Sequence, residues 1–128
     1  MLDKKRILIV DDDHDIIQGA NLRLRAAGYD TLTATDGEQG VAAAVTNTPD
    51  AILMDVRMPR LDGLGALALL KQRAETRDIP VVVLSASLRD QRAALDAGAR
   101  YFLTKPYRSN DLLLAVKSAL ADVPPTAG

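Results

Sequence analysis

Three consecutive aspartates, Asp11-Asp12-Asp13, close the apolar run Ile7-Leu8-Ile9-Val10, and a second run, Ala51-Ile52-Leu53-Met54, ends at Asp55. Val81-Val82-Val83-Leu84 ends at Ser85, and Tyr101-Phe102-Leu103-Thr104 ends at Lys105, followed by Pro106. Acids, a hydroxyl and an amine at the ends of four short apolar runs form a set that can do chemistry. Brought together, Asp11, Asp12 and Asp55 repel one another: two carboxylates about 4 Å apart cost roughly 1 kcal/mol in water and about 4 kcal/mol at an effective dielectric of 20. A hard divalent cation offsets that repulsion, and oxygen-only ligands suit magnesium. A proton shared between acids at raised pKa is the alternative. Phosphoryl transfer needs positive charge on the equatorial oxygens and a nucleophile in line. Magnesium and Lys105 would supply the charge, and Ser85 a hydrogen bond to a phosphoryl oxygen. Asp55, alone at the end of its run, would be the nucleophile and would carry the product aspartyl phosphate.

For that chemistry the four run ends must meet. Between the runs lie stretches with helical periodicity. Ile16, Ala20, Leu24 and Ala27 share one face, with Gly28 as a C-terminal cap. Asp36-Gly37-Glu38 opens an alanine-rich helix through Val45, and Thr46-Asn47-Thr48-Pro49 closes it. Asp62-Gly63 precedes an apolar stripe of Leu64, Leu67 and Leu70, and Leu88 to Asp96 is a polar helix ending before Gly98. Ser109 or Asn110 caps a last helix whose inner face is Leu112, Val116, Ala119 and Leu120. Thr31-Leu32-Thr33-Ala34 is a fifth, more alternating strand. Strand and helix thus alternate five times, which predicts an α/β fold with a parallel sheet. The pattern matches the flavodoxin-like doubly wound (βα)5 arrangement, strand order 2-1-3-4-5, in which ligands bind outside the carboxyl ends of the strands. The four most apolar runs are expected to be buried on both faces, with the threonine-bearing strand at an edge.

The 128 residues suit one domain, read as 1–121 with a flexible tail over 122–128. The chain is 48% hydrophobic and 26% charged, ordinary globular usage, and its formal charge of -1 gives no case for nucleic acid or an anionic membrane as partner. There is no cysteine, which excludes disulfides and thiolate metal sites and fits a reducing compartment. The basic start, Lys4-Lys5-Arg6, leads into only four apolar residues, too few for a signal peptide or a membrane span, so the expected location is the cytoplasm.

Blander readings compete at several positions. Asp11-Asp12-Asp13 with Asp15 could simply cap a helix, and Asp13 or Asp15 is expected to do so. The Asp-x-Asp-x-Asp spacing opens calcium loops, but Ile16 stands where glycine is required and Leu22 where glutamate is. His14 is the only histidine, which argues against a histidine phosphotransfer role or a histidine metal site and leaves it as a surface residue.

Together the motifs resemble the receiver domain of two-component response regulators, of the single-domain, chemotaxis-regulator type. The match rests on Ile7-Leu8-Ile9-Val10-Asp11-Asp12, on Met54-Asp55-Val56-Arg57-Met58-Pro59 with Asp62-Gly63, on Leu84-Ser85-Ala86, and on Ala97-Gly98-Ala99 through Lys105-Pro106-Tyr107. It extends over nearly the whole chain, from Lys5 to Leu120. The resemblance implies that Asp55 is the phosphorylated aspartate. Asp12, Asp55 and the backbone carbonyl of Arg57 would hold magnesium, and Asp11 would hold it through water. Ser85 is implied as the switch hydroxyl and Lys105 as the phosphate-pairing lysine, with a cis Lys105-Pro106 bond. Phe102 stands at the switch aromatic, a position often tyrosine in the family, whereas the tyrosine here is one earlier, Tyr101.

The resemblance also implies a histidine kinase or histidine phosphotransfer protein as phosphate donor. A downstream effector protein would read the face of the fourth helix, fifth strand and fifth helix. That face carries Arg89, Arg92, Arg100, Tyr107, Arg108 and Lys117, a basic set suited to an acidic partner. Arg57 and Ser87, beside the site, are candidates to tune the phosphate's lifetime. Catalysis would be limited to the chain's own phosphorylation and dephosphorylation, with no direct nucleic-acid or membrane contact, and the chain would be a monomer or a weak phosphorylation-dependent dimer. Two other classes remain. A phosphorylation-independent pseudo-receiver would act as a binding module, but the complete acid set with Ser85 and Lys105 argues against it. A hydrolase of the haloacid-dehalogenase type would need Asp-x-Asp, and Asp55 is followed by Val56-Arg57. A flavin carrier would need a phosphate-binding loop after the first strand.

Overall fold

The computed structural model describes residues 4–121; the expected tail at 122–128 lies outside them. Five strands, β1 (Arg6–Val10), β2 (Asp30–Ala34), β3 (Ala51–Asp55), β4 (Val81–Ser85) and β5 (Tyr101–Thr104), alternate with five helices. The helices are α1 (His14–Ala26), α2 (Gly37–Asn47), α3 (Gly63–Gln72), α4 (Asp90–Asp96) and α5 (Ser109–Ala121). All neighbouring strands run parallel, in the order β2-β1-β3-β4-β5. The fold is therefore the flavodoxin-like arrangement expected from the strand and helix pattern.

Alternation of side chains along each strand divides the apolar runs between two layers. Leu8, Val10, Ile52, Met54, Val81 and Val83 pack with Ala44, Leu67, Leu70 and Ala94 of α2, α3 and α4. Ile7, Ile9, Leu53, Val82 and Leu84 pack with Ala20 and Leu24 of α1 and Leu112 and Val116 of α5. β3 and β4 are buried along their whole length and β1 from Ile7 onward, as their apolar runs require. β5 departs from expectation. Tyr101, Phe102 and Leu103 are only half-buried and Thr104 is exposed, because β5 is the second edge of the sheet and has a strand on one side only.

Side chains start three of the helices. Asp13 Oδ1 accepts from the backbone N–H groups of Asp15 (2.9 Å) and Ile16 (3.4 Å), Asp36 from that of Gln39 (2.8 Å), and Asp62 from that of Gly65 (2.8 Å). The buried stripe of α1 is Ile17, Ala20 and Leu24; Ile16 lies at its margin and Ala27 lies beyond the helix, exposed. α4 begins at Asp90 rather than Leu88, since Leu88 and Arg89 form a turn with Leu88 exposed. Ser109 does not cap α5 but lies in its first turn, where its hydroxyl accepts from Arg23 Nε of α1.

Two glycines start the helices that flank the loop after β3. The N–H of Gly63 donates to Val56 O (2.9 Å), and a Cβ there would lie 2.0 Å from the carbonyl oxygen of Asp55. The N–H of Gly37 donates to Leu61 O (3.1 Å), and a Cβ would lie 2.1 Å from that oxygen. At Gly28 the constraint is different. It closes α1 at a φ of +99°, with open space around the missing Cβ. Gly28→Ala is therefore expected to cost about 1 kcal/mol through backbone strain alone, and Gly63→Ala about 3 kcal/mol because backbone must move. Equilibrium urea unfolding of the two variants checks the order.

Candidate functional site

The parallel order carries the ends of β1, β3, β4 and β5 to one edge of the sheet, and backbone bonds continue the ladder past them. Asp11 N donates to Ala34 O (3.1 Å), Val56 N to Leu84 O (3.1 Å) and Lys105 N to Ser85 O (2.8 Å). Lys105 precedes a cis peptide bond to Pro106. Its ammonium Nζ lies 2.8 Å from Asp11 Oδ2 and 2.9 Å from Asp55 Oδ1, so one amine bridges two buried carboxylates. Asp11 is fixed from the other side as well, since its Oδ1 accepts from the N–H of Asp13 (3.0 Å).

Asp12 is exposed beside them, and carboxylate oxygens of Asp11, Asp12 and Asp55 lie within 4.8 Å of one another. Burial raises the pKa of Asp55; the hydrogen bond from Lys105 opposes that rise, and the charges of Asp11 and Asp12 add to it. Burial pulls Lys105 down, but the hydrogen bonds and charges of Asp11 and Asp55 outweigh it and hold the ammonium above its ordinary value. Three carboxylates and one ammonium, all ionised, leave a formal charge of -2. An oxygen-only donor set with that deficit fits a hard divalent cation such as magnesium.

Asp11, Asp12, Asp55 and Lys105 are thus brought together as expected. Ser85 sits at the neighbouring strand end, 1% exposed, but its hydroxyl is engaged elsewhere. It donates to Asp90 Oδ2 at 2.5 Å and accepts from the N–H of Ser87 at 3.1 Å. The guanidinium of Arg57 lies 3.5 Å from the same Asp90 oxygen, its side chain largely in solvent. Asp90 was not among the residues singled out from sequence. A lone carboxylate five residues after Ser85, at the start of a polar helix, carries no signal by itself.

Phe102 is half-buried against the α2–α4 layer, while Tyr101 packs on the α1–α5 side. Of the expected partner face, Arg89, Arg92, Arg108 and Lys117 are exposed, with Arg92 paired to Asp96 at 3.4 Å. Arg100 is half-buried. Tyr107 is half-buried too, packed against the α1–α5 layer. His14 is exposed. Among the described residues no helix is long and apolar enough to cross a membrane.

Comparison with known proteins agrees with this geometry. A family model described as the response regulator receiver domain matches residues 7–117. The transcriptional regulatory protein PrrA of Mycobacterium tuberculosis is 43% identical over 117 residues, which cover 90% of this chain and 49% of that protein. The chain spans about half the length of the curated relatives it matches. Among solved structures, a response regulator receiver domain from Francisella superposes with a TM-score of 0.86 at 31% identity, covering 93% of this chain and 98% of the other. The receiver domain of a sensor histidine kinase from Pseudomonas aeruginosa superposes with a TM-score of 0.87 at 30% identity, covering 93% and 99%, and has a magnesium ion coordinated in its active site cleft.

Removing the bridging amine tests the charge balance of the site. Without it Asp11 and Asp55 face each other across a buried gap, so Lys105→Ala is expected to lose about 2–3 kcal/mol in a chelating buffer. Millimolar magnesium should restore much of that loss. Because the folded Lys105 is raised, its contribution is complete below the ordinary lysine value of 10.5 and is lost as pH rises through the folded value. The gap between wild type and variant should therefore stay level from neutral pH to 10.5 and close as pH rises from there through the folded value, as followed by chemical denaturation at stepped pH.

Proposed function

The chain belongs to the response regulator receiver domain family, and on that premise we propose that it is a phosphoaccepting switch with Asp55 as the acceptor. The observation that carries this reading is the Lys105 ammonium bridging Asp11 and Asp55 at 2.8 and 2.9 Å, beside the exposed carboxylate of Asp12. Asp11, Asp12, Asp55 and the backbone carbonyl of Arg57 would hold magnesium. When bound, the metal supplies positive charge against the phosphoryl oxygens.

The chain's own groups do the rest. A carboxylate oxygen of Asp55 attacks phosphorus in line as the phosphorus–nitrogen bond of a phosphohistidine donor breaks. The bonding pair leaves on the imidazole nitrogen, and an acyl phosphate remains on Asp55. Lys105 already holds Asp55 in hydrogen-bond contact and offsets the burial that disfavours its ionised form. After transfer, Lys105 and the Ser85 hydroxyl are the donors at hand for the new phosphoryl oxygens. Their movement toward the phosphate shifts the β4–α4 loop and the surroundings of Phe102. The size of the response follows the difference in phosphate binding between two states, with about 1.4 kcal/mol for each tenfold shift in population.

The donor is a histidine kinase or histidine phosphotransfer protein, and the output passes by protein contact. The exposed arginines of α4, Arg89 and Arg92, suit an acidic partner surface.

Treatment with acetyl phosphate and magnesium is expected to add one phosphoryl group, removed by mild alkali and absent in Asp55→Asn, as read by intact mass. A wild-type chain that gains nothing would overturn the reading in favour of a phosphorylation-independent binding module.

A further inference from the structure

The phosphoacceptor reading needs the Ser85 hydroxyl, yet that hydroxyl is already committed. A serine has one hydrogen to donate, and here it goes to Asp90 Oδ2 at 2.5 Å, a short bond to a charged acceptor. The oxygen also accepts from the N–H of Ser87 at 3.1 Å. Ser85 is 1% exposed, so water offers its hydroxyl little competition.

Asp90 is the first residue of α4, and that helix is lightly held. It is seven residues long, its N-cap Arg89 makes no side-chain capping bond, and Ala94 is its one buried side chain. The bond from Ser85 therefore ties the first turn of α4 directly to the end of β4. Arg57, two residues after Asp55, has its guanidinium 3.5 Å from the same Asp90 oxygen. Both side-chain contacts of Asp90 thus come from groups beside the acceptor aspartate.

We propose that Asp90 is the latch of the switch, a positioning residue that holds the Ser85 hydroxyl, and through it the start of α4, in the unphosphorylated arrangement. The proposal rests on the phosphoacceptor reading and adds its opposing half. A phosphoryl group on Asp55 is a second anion competing for the same hydrogen. Ser85 cannot donate to both, so turning to the phosphate breaks the tie to α4. Asp90, 13% exposed at its side chain, is left at the surface edge where water can solvate it. The strength of the Ser85–Asp90 bond then sets how much of the phosphate's binding is spent on release, and so the fraction of phosphorylated molecules that switch.

Titration with beryllofluoride in excess magnesium, followed through the backbone amide shifts of residues 86–94, tests this. Asp90→Ala is expected to bind the phosphoryl mimic about tenfold more tightly than wild type. Asp90→Asn, which keeps an acceptor without its charge, should fall between and serves if the alanine variant does not fold. In a Ser85→Ala background the Asp90 substitutions should change nothing, since there is no hydroxyl to hold; a purely structural role of Asp90 in α4 would persist there. Unchanged affinity in both Asp90 variants, or an equal gain with and without Ser85, overturns the latch. If the wild type labels with acetyl phosphate but the variants bind like wild type, only the latch fails. If the wild type neither labels nor binds beryllofluoride, the phosphoacceptor reading falls and the latch with it.

Discussion

One ammonium holds the acidic edge of this sheet together. Asp11 and Asp55 are nearly inaccessible to water, on adjacent strands, and carry the same charge. Lys105 reaches across from β5, two strands beyond β3, and contacts both. Burial, the largest influence on each partner, opposes ionisation of Asp55 and of Lys105 alike, so neither is comfortable charged without the other. Three carboxylates against one ammonium leave the edge negative, and Lys105 compensates part of that charge. Asp12, left exposed, adds charge where solvent still screens it.

The parallel sheet makes such an edge possible because β1 from Ile7 onward, β3 and β4 are buried between two helical layers, and their polar groups come only at or just past the strands' carboxyl ends. Strand ends set in that core are fixed, so any movement must come from what is attached to them. α4 is the obvious recipient, short and with one buried side chain. β5 is the obvious neighbour, half-buried at the sheet edge with Phe102 against the same layer. Rigid acids on one side and lightly held elements on the other are what a charge-driven switch requires.

Much of this was readable in the chain. The polar residues of the site stand at the ends of apolar runs, and strict strand–helix alternation leaves few ways of arranging those runs, so the sequence itself places Asp11, Asp12, Asp55 and Lys105 together. Asp13, Asp36 and Asp62 declared themselves as helix starts by local chemistry. What escaped depended on distant partners. The half-burial of β5 follows from its edge position, which its apolar composition does not express. The late start of α4 follows from Leu88 lying in a turn, against a periodicity too weak to set the boundary. Ser109 looked like a cap and instead meets Arg23, a residue 86 positions away. The Ser85–Asp90 bond depends on side-chain direction across a loop, which no spacing rule reports.

The loop between β3 and α3 has a consequence for how such a domain can diversify. Its carbonyls are gripped at both ends by backbone alone: Val56 by the N–H of Gly63, and Leu61 by the N–H of Gly37. No side chain of the loop takes part in either contact. Arg57, Pro59 and Arg60 face solvent, but Arg60 holds its turn at a φ of +66° with its guanidinium 4.0 Å from Asp36, and Arg57 reaches Asp90 at 3.5 Å. Because neither grip uses a side chain, a substitution at a solvent-facing loop position that makes no contact can suit a neighbour while the acceptor beneath it stays in register.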